Sequence, residues 1–306
     1  MKYLITGCGG FLGSNLVEAL LSLGHEVIGI DNFSSGKTIF LSESLLNSKF
    51  KLFVGDIIRD TNVLEECMNG VDIVFHLAAK ADIKNNLENP QEIFTQNVVG
   101  TVNVLEAMRK KKIKRIAFAS TGSVYGETPD IPTKENSFLY PQTSIYSASK
   151  SSSEALIQAY CEGYSIQSYI FRFVSMLGKN YHHGHIVDFF NQLKEHPEIL
   201  YVKGNGNQKK SYIHVYDAIF GMFTGITYGK EKVNIFNVGT DEVYSVKNSI
   251  ETIFDYMAIR NKPEIKYEDS KRGWVGDNPL IFLDTTKLKT VGGNWKPKYT
   301  IEESIA

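Results

Sequence analysis

The run Tyr3-Leu4-Ile5-Thr6-Gly7-Cys8-Gly9-Gly10-Phe11-Leu12-Gly13 constrains this chain more than any other. A short apolar segment of β type leads straight into glycines. An apolar pattern of helical spacing leaves them, at Leu12, Leu16, Val17, Leu20 and Leu23. Glycines at such a junction allow a tight turn, let the backbone approach a pyrophosphate, and let the helix pack closely on the sheet. The helix start then offers unpaired N–H groups and a positive dipole end to an anion. Gly7, Gly10, Phe11, Leu12 and Gly13 are therefore expected at a dinucleotide. A structural turn with a helix cap is the simpler alternative, and the next strand argues against it. Glu26-Val27-Ile28-Gly29-Ile30 reads as a second strand, ended by Asp31, 18 residues beyond Gly13. A carboxylate there accepts hydrogen bonds from an adenosine ribose and repels the added phosphate of NADP. No Arg stands close after it, Lys37 being the nearest cation, so NAD is the expected cofactor.

The same alternation continues. Lys51–Val54, Asp72–Leu77 and Arg115–Ala119 read as strands, and residues from about Pro90 to Lys112 read as one long helix with Phe94, Val98, Thr101, Val102, Leu105 and Met108 on one side. Strands separated by helices imply a parallel sheet covered on both faces, and near-continuous apolar strands fit that burial. The fold class expected is α/β, a Rossmann-like doubly wound parallel sheet with a smaller C-terminal substrate-binding lobe. Residues 1–175 would form the NAD-binding domain carrying the catalytic residues. Residues 176–306 would form mainly the substrate lobe, interleaved with the last strands of the first. In that second part Val187–Leu193 looks helical, Ile235–Val238 looks like a strand, and Thr300–Ala306 looks like a helix beginning.

Bulk properties exclude several classes of partner. The net charge of −1 gives no reason to expect nucleic acid or an anionic membrane surface. No apolar run approaches the roughly 20 residues of a membrane-spanning helix, and the N-terminus enters a strand rather than a signal peptide. Cys8, Cys67 and Cys161 are odd in number and scattered, which fits reduced thiols in a cytoplasmic protein and no metal framework.

Three Tyr-x-x-x-Lys spacings occur: Tyr146/Lys150, Tyr228/Lys232 and Tyr267/Lys271. With 16 Tyr and 27 Lys in 306 residues, about one such pair is expected by chance, so context must choose among them. Only Tyr146 comes after a hydroxyl-rich strand end, Ser120-Thr121, in a chain that already has a dinucleotide loop. Lys150 lies one helical turn on, on the same face. Oxidising an alcohol by hydride transfer requires removal of the hydroxyl proton, and a free tyrosine is a poor base near neutrality. A nearby ammonium and a positive nicotinamide would favour the phenolate and lower its pKa. Asp56-Ile57 stands after the third strand at a place suited to the adenine edge, although a turn aspartate fits equally. Ala78-Ala79 would let the backbone lie against the cofactor. Lys80 beside them is either a ligand contact or a solvated charge.

Taken together, Thr6-Gly7-x-x-Gly10-x-x-Gly13, Asp31-Asn32, Asp56-Ile57, His76-Leu77-Ala78-Ala79, Asn97, Ser120-Thr121, Val124-Tyr125-Gly126, Tyr146-x-x-x-Lys150 and Tyr212-Ile213-His214-Val215-x-Asp217 resemble one family along essentially the whole chain. It is the extended short-chain dehydrogenase/reductases, in their nucleotide-sugar epimerase/dehydratase branch, with the UDP-sugar 4-epimerases the most similar. The resemblance implies Thr121, Tyr146 and Lys150 as the catalytic trio. It places Asn32, Leu77, Asn97 and Ser120 with the cofactor contacts. It implies Lys210 and Arg272 at a nucleotide diphosphate, Asp277 at the nucleotide, and Lys80 and Ser175 on the substrate side. Ser175 stands where many relatives have Asn. A homodimer through a four-helix bundle, built from residues 90–112 and 146–163, is also implied.

Dehydratases of this branch carry an acidic pair after the catalytic Thr, and the related decarboxylases a Glu. Here Gly122 and Ser123 occupy those places. Without a carboxyl group to protonate a leaving hydroxyl, 4,6-dehydration loses its acid. The expected activity is therefore NAD-dependent 4-epimerisation of a nucleotide-diphosphate sugar, most simply a UDP-sugar, through a 4-keto intermediate. A one-way 4-keto-sugar reductase would share the same residues, and a non-catalytic NAD-binding scaffold would share the fold. His182, His183 and His185 are read as loop residues over the sugar pocket rather than as metal ligands.

Overall fold

The computed structural model describes residues 1–81, 89–268, 278, 280–293 and 295–306. The first part of the chain runs β1 (Lys2–Thr6), α1 (Phe11–Ser22), β2 (Glu26–Asp31), β3 (Phe50–Val54), α2 (Thr61–Cys67), β4 (Ile73–His76), α3 (Pro90–Phe94), α4 (Gly100–Lys111), β5 (Arg115–Thr121), α5 (Ile145–Tyr164) and β6 (Gln167–Phe173). It continues as β7 (Ser175–Leu177), α6 (His185–Glu195), β8 (Ile199–Val202), β9 (Lys209–Lys210), β10 (Tyr212–His214), α7 (Val215–Tyr228), β11 (Val233–Val238), β12 (Tyr244–Ser245), α8 (Val246–Tyr256), β13 (Glu264–Tyr267), α9 (Thr286–Val291) and α10 (Ile301–Ile305).

Seven strands form one sheet in the order β11-β6-β5-β4-β1-β2-β3, with every pairing parallel. Side chains alternate across it, as strand geometry requires. Tyr3, Ile5, Phe75, Ala117, Tyr169 and Phe171 pack on one face with α1 and α7 residues such as Leu16, Leu20, Ala218 and Met222. Leu4, Val74, Ile116, Phe118 and Ile170 pack on the other, with Leu64 of α2, Val104, Leu105 and Met108 of α4, and Ile157 and Cys161 of α5. Strand order reverses between β1 and β4, the switch point beside which a doubly wound sheet leaves its crevice.

A third core gathers residues of the later part alone, among them Leu177, Ile186, Phe189, Leu200, Tyr212, Ile250, Phe254 and Ile301. Its strands form three small pairs, β7 with β10, β8 with β13, and β9 with β12. β11 leaves this region and joins the main sheet beside β6. Asp217 of the Tyr-Ile-His run is buried and accepts from Lys298 N at 2.9 Å and Tyr299 N at 3.0 Å, so it anchors the chain leading to α10.

The long helix expected over residues 90–112 is broken. A π-turn over Thr95–Val99 separates α3 from α4. The extra residue in a π-turn rotates the next helical turn, and such turns concentrate where a side chain has a local task. Here Asn97 is 2% exposed. Its Oδ1 accepts from Lys80 N at 2.7 Å, and its Nδ2 donates to Lys80 O at 3.1 Å and Ser149 Oγ at 2.8 Å. The helix gives up its regular ladder, and one side chain holds the segment after β4 to α5.

Phe236 of β11 is 1% exposed and stacks on Phe171 of β6. Phe236→Ala should lower the unfolding free energy by about 3–5 kcal/mol. Because β11 is a strand of the main sheet, urea unfolding monitored by circular dichroism and by tryptophan fluorescence should give one coincident, earlier transition.

Candidate active site

A cavity of about 610 Å³ lies over the carboxyl ends of β1, β2, β3 and β4, lined in part by Gly7, Gly10, Asp31, Asn32, Asp56, Ile57 and Leu77–Lys80. Gly7 has φ +74°, and a Cβ there would stand 2.8 Å from the Ala78 N and Cα atoms. A Cβ on Gly13 would stand 2.1 Å from Gly7 O. Side chains are thus excluded where the loop meets β4 and where α1 folds back on it. Gly10 caps α1 without any side-chain acceptor, which leaves first-turn N–H groups for an anion. Phe11 is half-buried and Leu12 buried behind this turn.

Asp31 ends β2 and is 8% exposed. Its Oδ2 accepts from Gly9 N at 2.8 Å and its Oδ1 from Phe33 N at 2.7 Å. Burial pushes its pKa up, and these main-chain bonds oppose the rise. Lys37 N donates to Gly9 O at 2.9 Å, closing the loop after β2 over the glycines, while its ammonium lies 5.6 Å from the Phe40 ring centre. Asp56 has the turn role that was the alternative for it, and it also faces the cavity. It lines the cavity, and it holds its own turn by accepting from Ile58 N at 2.7 Å and from Asn32 Nδ2 at 3.0 Å. Ile57 is buried against Gly100, whose Cβ would come within 2.7 Å of it. Ala78 N donates to Thr6 Oγ1 at 3.2 Å, and His76 links Thr6 to Thr101 through its two ring nitrogens at 2.8 and 3.0 Å. The Lys80 ammonium pairs with Glu92 at 2.9 Å, both side chains about 40% exposed; such a surface pair adds little stability. Donors at one end of the cavity and a carboxylate at the other fit a dinucleotide.

The trio lies at the end of the neighbouring strand. Thr121 closes β5; its Oγ1 accepts from Ser123 N at 3.1 Å and donates to Ser123 Oγ at 3.1 Å. Ser144 and Ser147 form a reciprocal capping box that starts α5. Tyr146 is then half-buried in the first turn. Lys150 is 3% exposed, donates from Nζ to Ala119 O at 2.8 Å, and places its ammonium 6.0 Å from the Tyr146 ring centre. The expected lowering of the tyrosine pKa is not found in the protein by itself. Burial pushes Tyr146 up to about 12. Burial also pushes Lys150 down to about 7, against the pull of Glu154. Removing a phenolate from water disfavours the charged form.

Ser120 is turned away from the cleft, since its hydroxyl donates to Glu154 at 2.5 Å in a fully buried cluster. Glu154 was not singled out by sequence reasoning, although it stands eight residues after Tyr146 and four after Lys150 on the same helix face. Ser175 is exposed on β7, and Lys210 is half-buried on β9. Arg272 and Asp277 lie outside the described residues. His182 Nδ1 lies 3.0 Å from Asn180 O, and His185 Nε2 lies 3.1 Å from the Tyr212 hydroxyl. Among the described residues no group of three or more His, Cys, Asp or Glu side chains is placed to hold a metal ion. Tyr228 and Tyr267 are 50% and 40% exposed, on the surface. A Cβ on Gly122 would meet Ile281 Cγ2 at 2.5 Å and the Leu283 methyl groups at 3.2 Å, so a side chain there would require these neighbours to move.

Residues 3–239 match the model of the NAD dependent epimerase/dehydratase family. The chain belongs to that family. A putative UDP-glucose 4-epimerase of Methanocaldococcus jannaschii is 33% identical over 310 residues, 99% of this chain and 95% of the relative. A UDP-N-acetyl-alpha-D-glucosaminuronate decarboxylase of Bacillus cytotoxicus is also 33% identical, over 94% of this chain and 90% of its own. Among solved structures, the UDP-glucuronic acid 4-epimerase from Bacillus cereus, in complex with UDP-glucuronic acid and NAD, superposes with a TM-score of 0.91 at 26% identity, covering 100% of this chain and 96% of that one. Relatives of equal identity thus differ in reaction, and the choice between reactions falls to the site itself.

Gly7→Ala would press a methyl group onto the Ala78 backbone at a positive φ. It should weaken NAD binding at least about tenfold, measured by calorimetry, with a lower melting temperature.

Proposed function

We propose that this family member is an NAD-dependent 4-epimerase of a nucleotide-diphosphate sugar, a UDP-hexose or UDP-hexuronate, acting through a transient 4-keto sugar. The observation that carries this reading is a conjunction: Lys150 Nζ, fixed on Ala119 O, lies 6.0 Å from the Tyr146 ring centre at the end of the strand that Thr121 closes, while neither Gly122 nor Ser123 after it offers a carboxyl group for dehydration. The UDP-sugar 4-epimerases among the relatives support it.

Gly7, Gly10, Gly13, Asp31 and the main chain of Leu77–Ala79 would hold NAD, which supplies a hydride acceptor and donor at the sugar C4. Tyr146 takes the C4 hydroxyl proton and later returns one to the opposite epimer. Thr121 steadies the oxygen between these events. The Lys150 ammonium, fixed on Ala119 O, favours the phenolate against the burial that opposes it. Positive charge at the diphosphate is assigned to Lys210 and Arg272, with Asp277 at the nucleotide and Lys80 and Ser175 toward the sugar. An anchored diphosphate leaves the planar 4-keto ring free to present either face.

The assembly proposed is a cytoplasmic homodimer joined through α4 and α5. These helices pack side by side and leave Ala155 and Ala159 on the exposed side of α5, with Phe94 53% and Tyr164 45% exposed nearby. No helix among the described residues is long and apolar enough to cross a membrane. The proposed division of labour is residues 1–175 for cofactor and catalysis and 176–306 for the nucleotide sugar.

The purified protein should interconvert its substrate with no added NAD, in a panel of UDP-, GDP-, CDP- and dTDP-sugars. A strict need for stoichiometric NAD(P)H would instead mark a one-way reductase. Tyr146→Phe should lower kcat by about 10²–10⁴-fold and leave NAD affinity unchanged in calorimetry. Loss of NAD binding in that variant would make the residue structural.

A further inference from the structure

Behind the catalytic face, one buried carboxylate collects three hydrogen bonds. Glu154 Oε1 accepts from Ser120 Oγ at 2.5 Å and from Arg172 Nε at 3.1 Å, and Oε2 accepts from Arg172 Nη2 at 2.6 Å. The Arg172 and Glu154 side chains are 4% and 2% exposed. Ser120 and Arg172 are register partners across β5 and β6, so they project to one face of the sheet. Lys150 ties the same helix to β5 one residue earlier, at Ala119 O. Two successive residues of β5 are thus fastened to two successive turns of α5. The next residue along the strand is Thr121.

A buried ion pair of this kind adds little stability beyond what apolar packing at the same place would give. Its position, one turn behind Lys150, suggests another use. We propose that Glu154 is a positioning residue for the epimerisation: it holds the end of β5 on α5, which sets Thr121 against Tyr146, and it places a carboxylate one helical turn from Lys150. The inference rests on the 4-epimerase reading.

Every element around Lys150 bears on that charge. On α5 itself stand Tyr146 and Glu154. From β4 comes His76, whose pKa burial and Lys150 together push down to about 3, so it is neutral. From β5 come the Ala119 carbonyl, the Ser120 hydroxyl and the Phe118 ring, 4.6 Å from Nζ. From β6 comes Arg172, whose charge Glu154 offsets; its Nη1 donates to Glu135 O at 3.2 Å, and its guanidinium lies 4.7 Å from the Tyr125 ring centre. Burial lowers the Lys150 pKa and Glu154 opposes that fall. Lys150 acts as a cation, so loss of the carboxylate charge lets it go neutral at lower pH, and the alkaline limb of activity moves down.

The test compares Glu154→Gln and Ser120→Ala with the wild type, each purified with its dinucleotide. Glu154→Gln should lower kcat by about tenfold or more with KM changed less than about threefold, and should move the alkaline limb of the kcat profile down by about one pH unit. Ser120→Ala keeps both charges; it should lower kcat about tenfold with the alkaline limb unmoved. A folded Glu154→Gln protein with wild-type kcat and an unmoved limb overturns the proposal. Where thermal unfolding and NAD calorimetry show that this variant does not fold, Ser120→Ala decides, and wild-type kcat there overturns it. A wild-type protein that interconverts no nucleotide sugar sinks the 4-epimerase reading and this inference with it. Active wild type with indifferent variants sinks the inference alone.

Discussion

The polar groups along the catalytic edge are arranged by a sheet that is covered on both faces. With helices on either side, a strand interior cannot carry an unpaired polar side chain without a large desolvation cost. Strand ends are the only places in the sheet where such groups can work. Thr6 ends β1, Asp31 ends β2, His76 ends β4, Ser120 and Thr121 end β5, and Arg172 and Asn237 come next to last in β6 and β11. All the strands of this sheet are parallel, so these residues meet along one edge. Ser120, Arg172 and Asn237 even share one register across three strands. The catalytic chemistry therefore does not need to be gathered from scattered parts of the chain. Burying the sheet gathers it.

Each of these end groups is satisfied by something outside its own strand. Asp31 is held by Gly9 and Phe33 main chain. Thr6 and His76 are linked onward to Thr101. Asn237 donates to Thr133 O and Asp284 O and accepts from the Tyr125 hydroxyl. The loops over the carboxyl edge are fixed by the same side chains that line it, which is how a surface made mostly of connections can be rigid enough to place a proton acceptor.

The sequence carried the architecture well because burial on both faces writes itself as continuous apolar runs, and because glycines at Gly7 and Gly13 have steric reasons that no other residue meets. The placement of Thr121 at the end of β5 and of Tyr146 and Lys150 at the start of α5 was legible because strand end and helix start are both local signals. The π-turn at Thr95–Val99 was not, since the apolar spacing of residues 90–112 continues across it and the partners of Asn97, Lys80 and Ser149, lie elsewhere in the sequence. Glu154 was missed because a lone Glu in an amphipathic helix reads as solvent-facing until β5 and β6 are laid beside it. The direction of the Tyr146 shift was misread for a related reason: the spacing to Lys150 is visible in the sequence, but how much water the fold removes is not. Arg272 and Asp277 rest on resemblance alone.

The contact between Gly122 and Ile281 has a consequence for how reactions can change within such a scaffold. A carboxylate introduced at position 122 by one substitution would collide with a side chain from a segment about 160 residues away in sequence. It would require the half-buried Ile281, and with it the Leu283 methyl groups at 3.2 Å, to give way. Substitutions at positions 122 and 281, being in contact, are expected to act non-additively. A path from this site toward dehydration chemistry therefore involves the distant segment at Ile281 as well as the strand end itself.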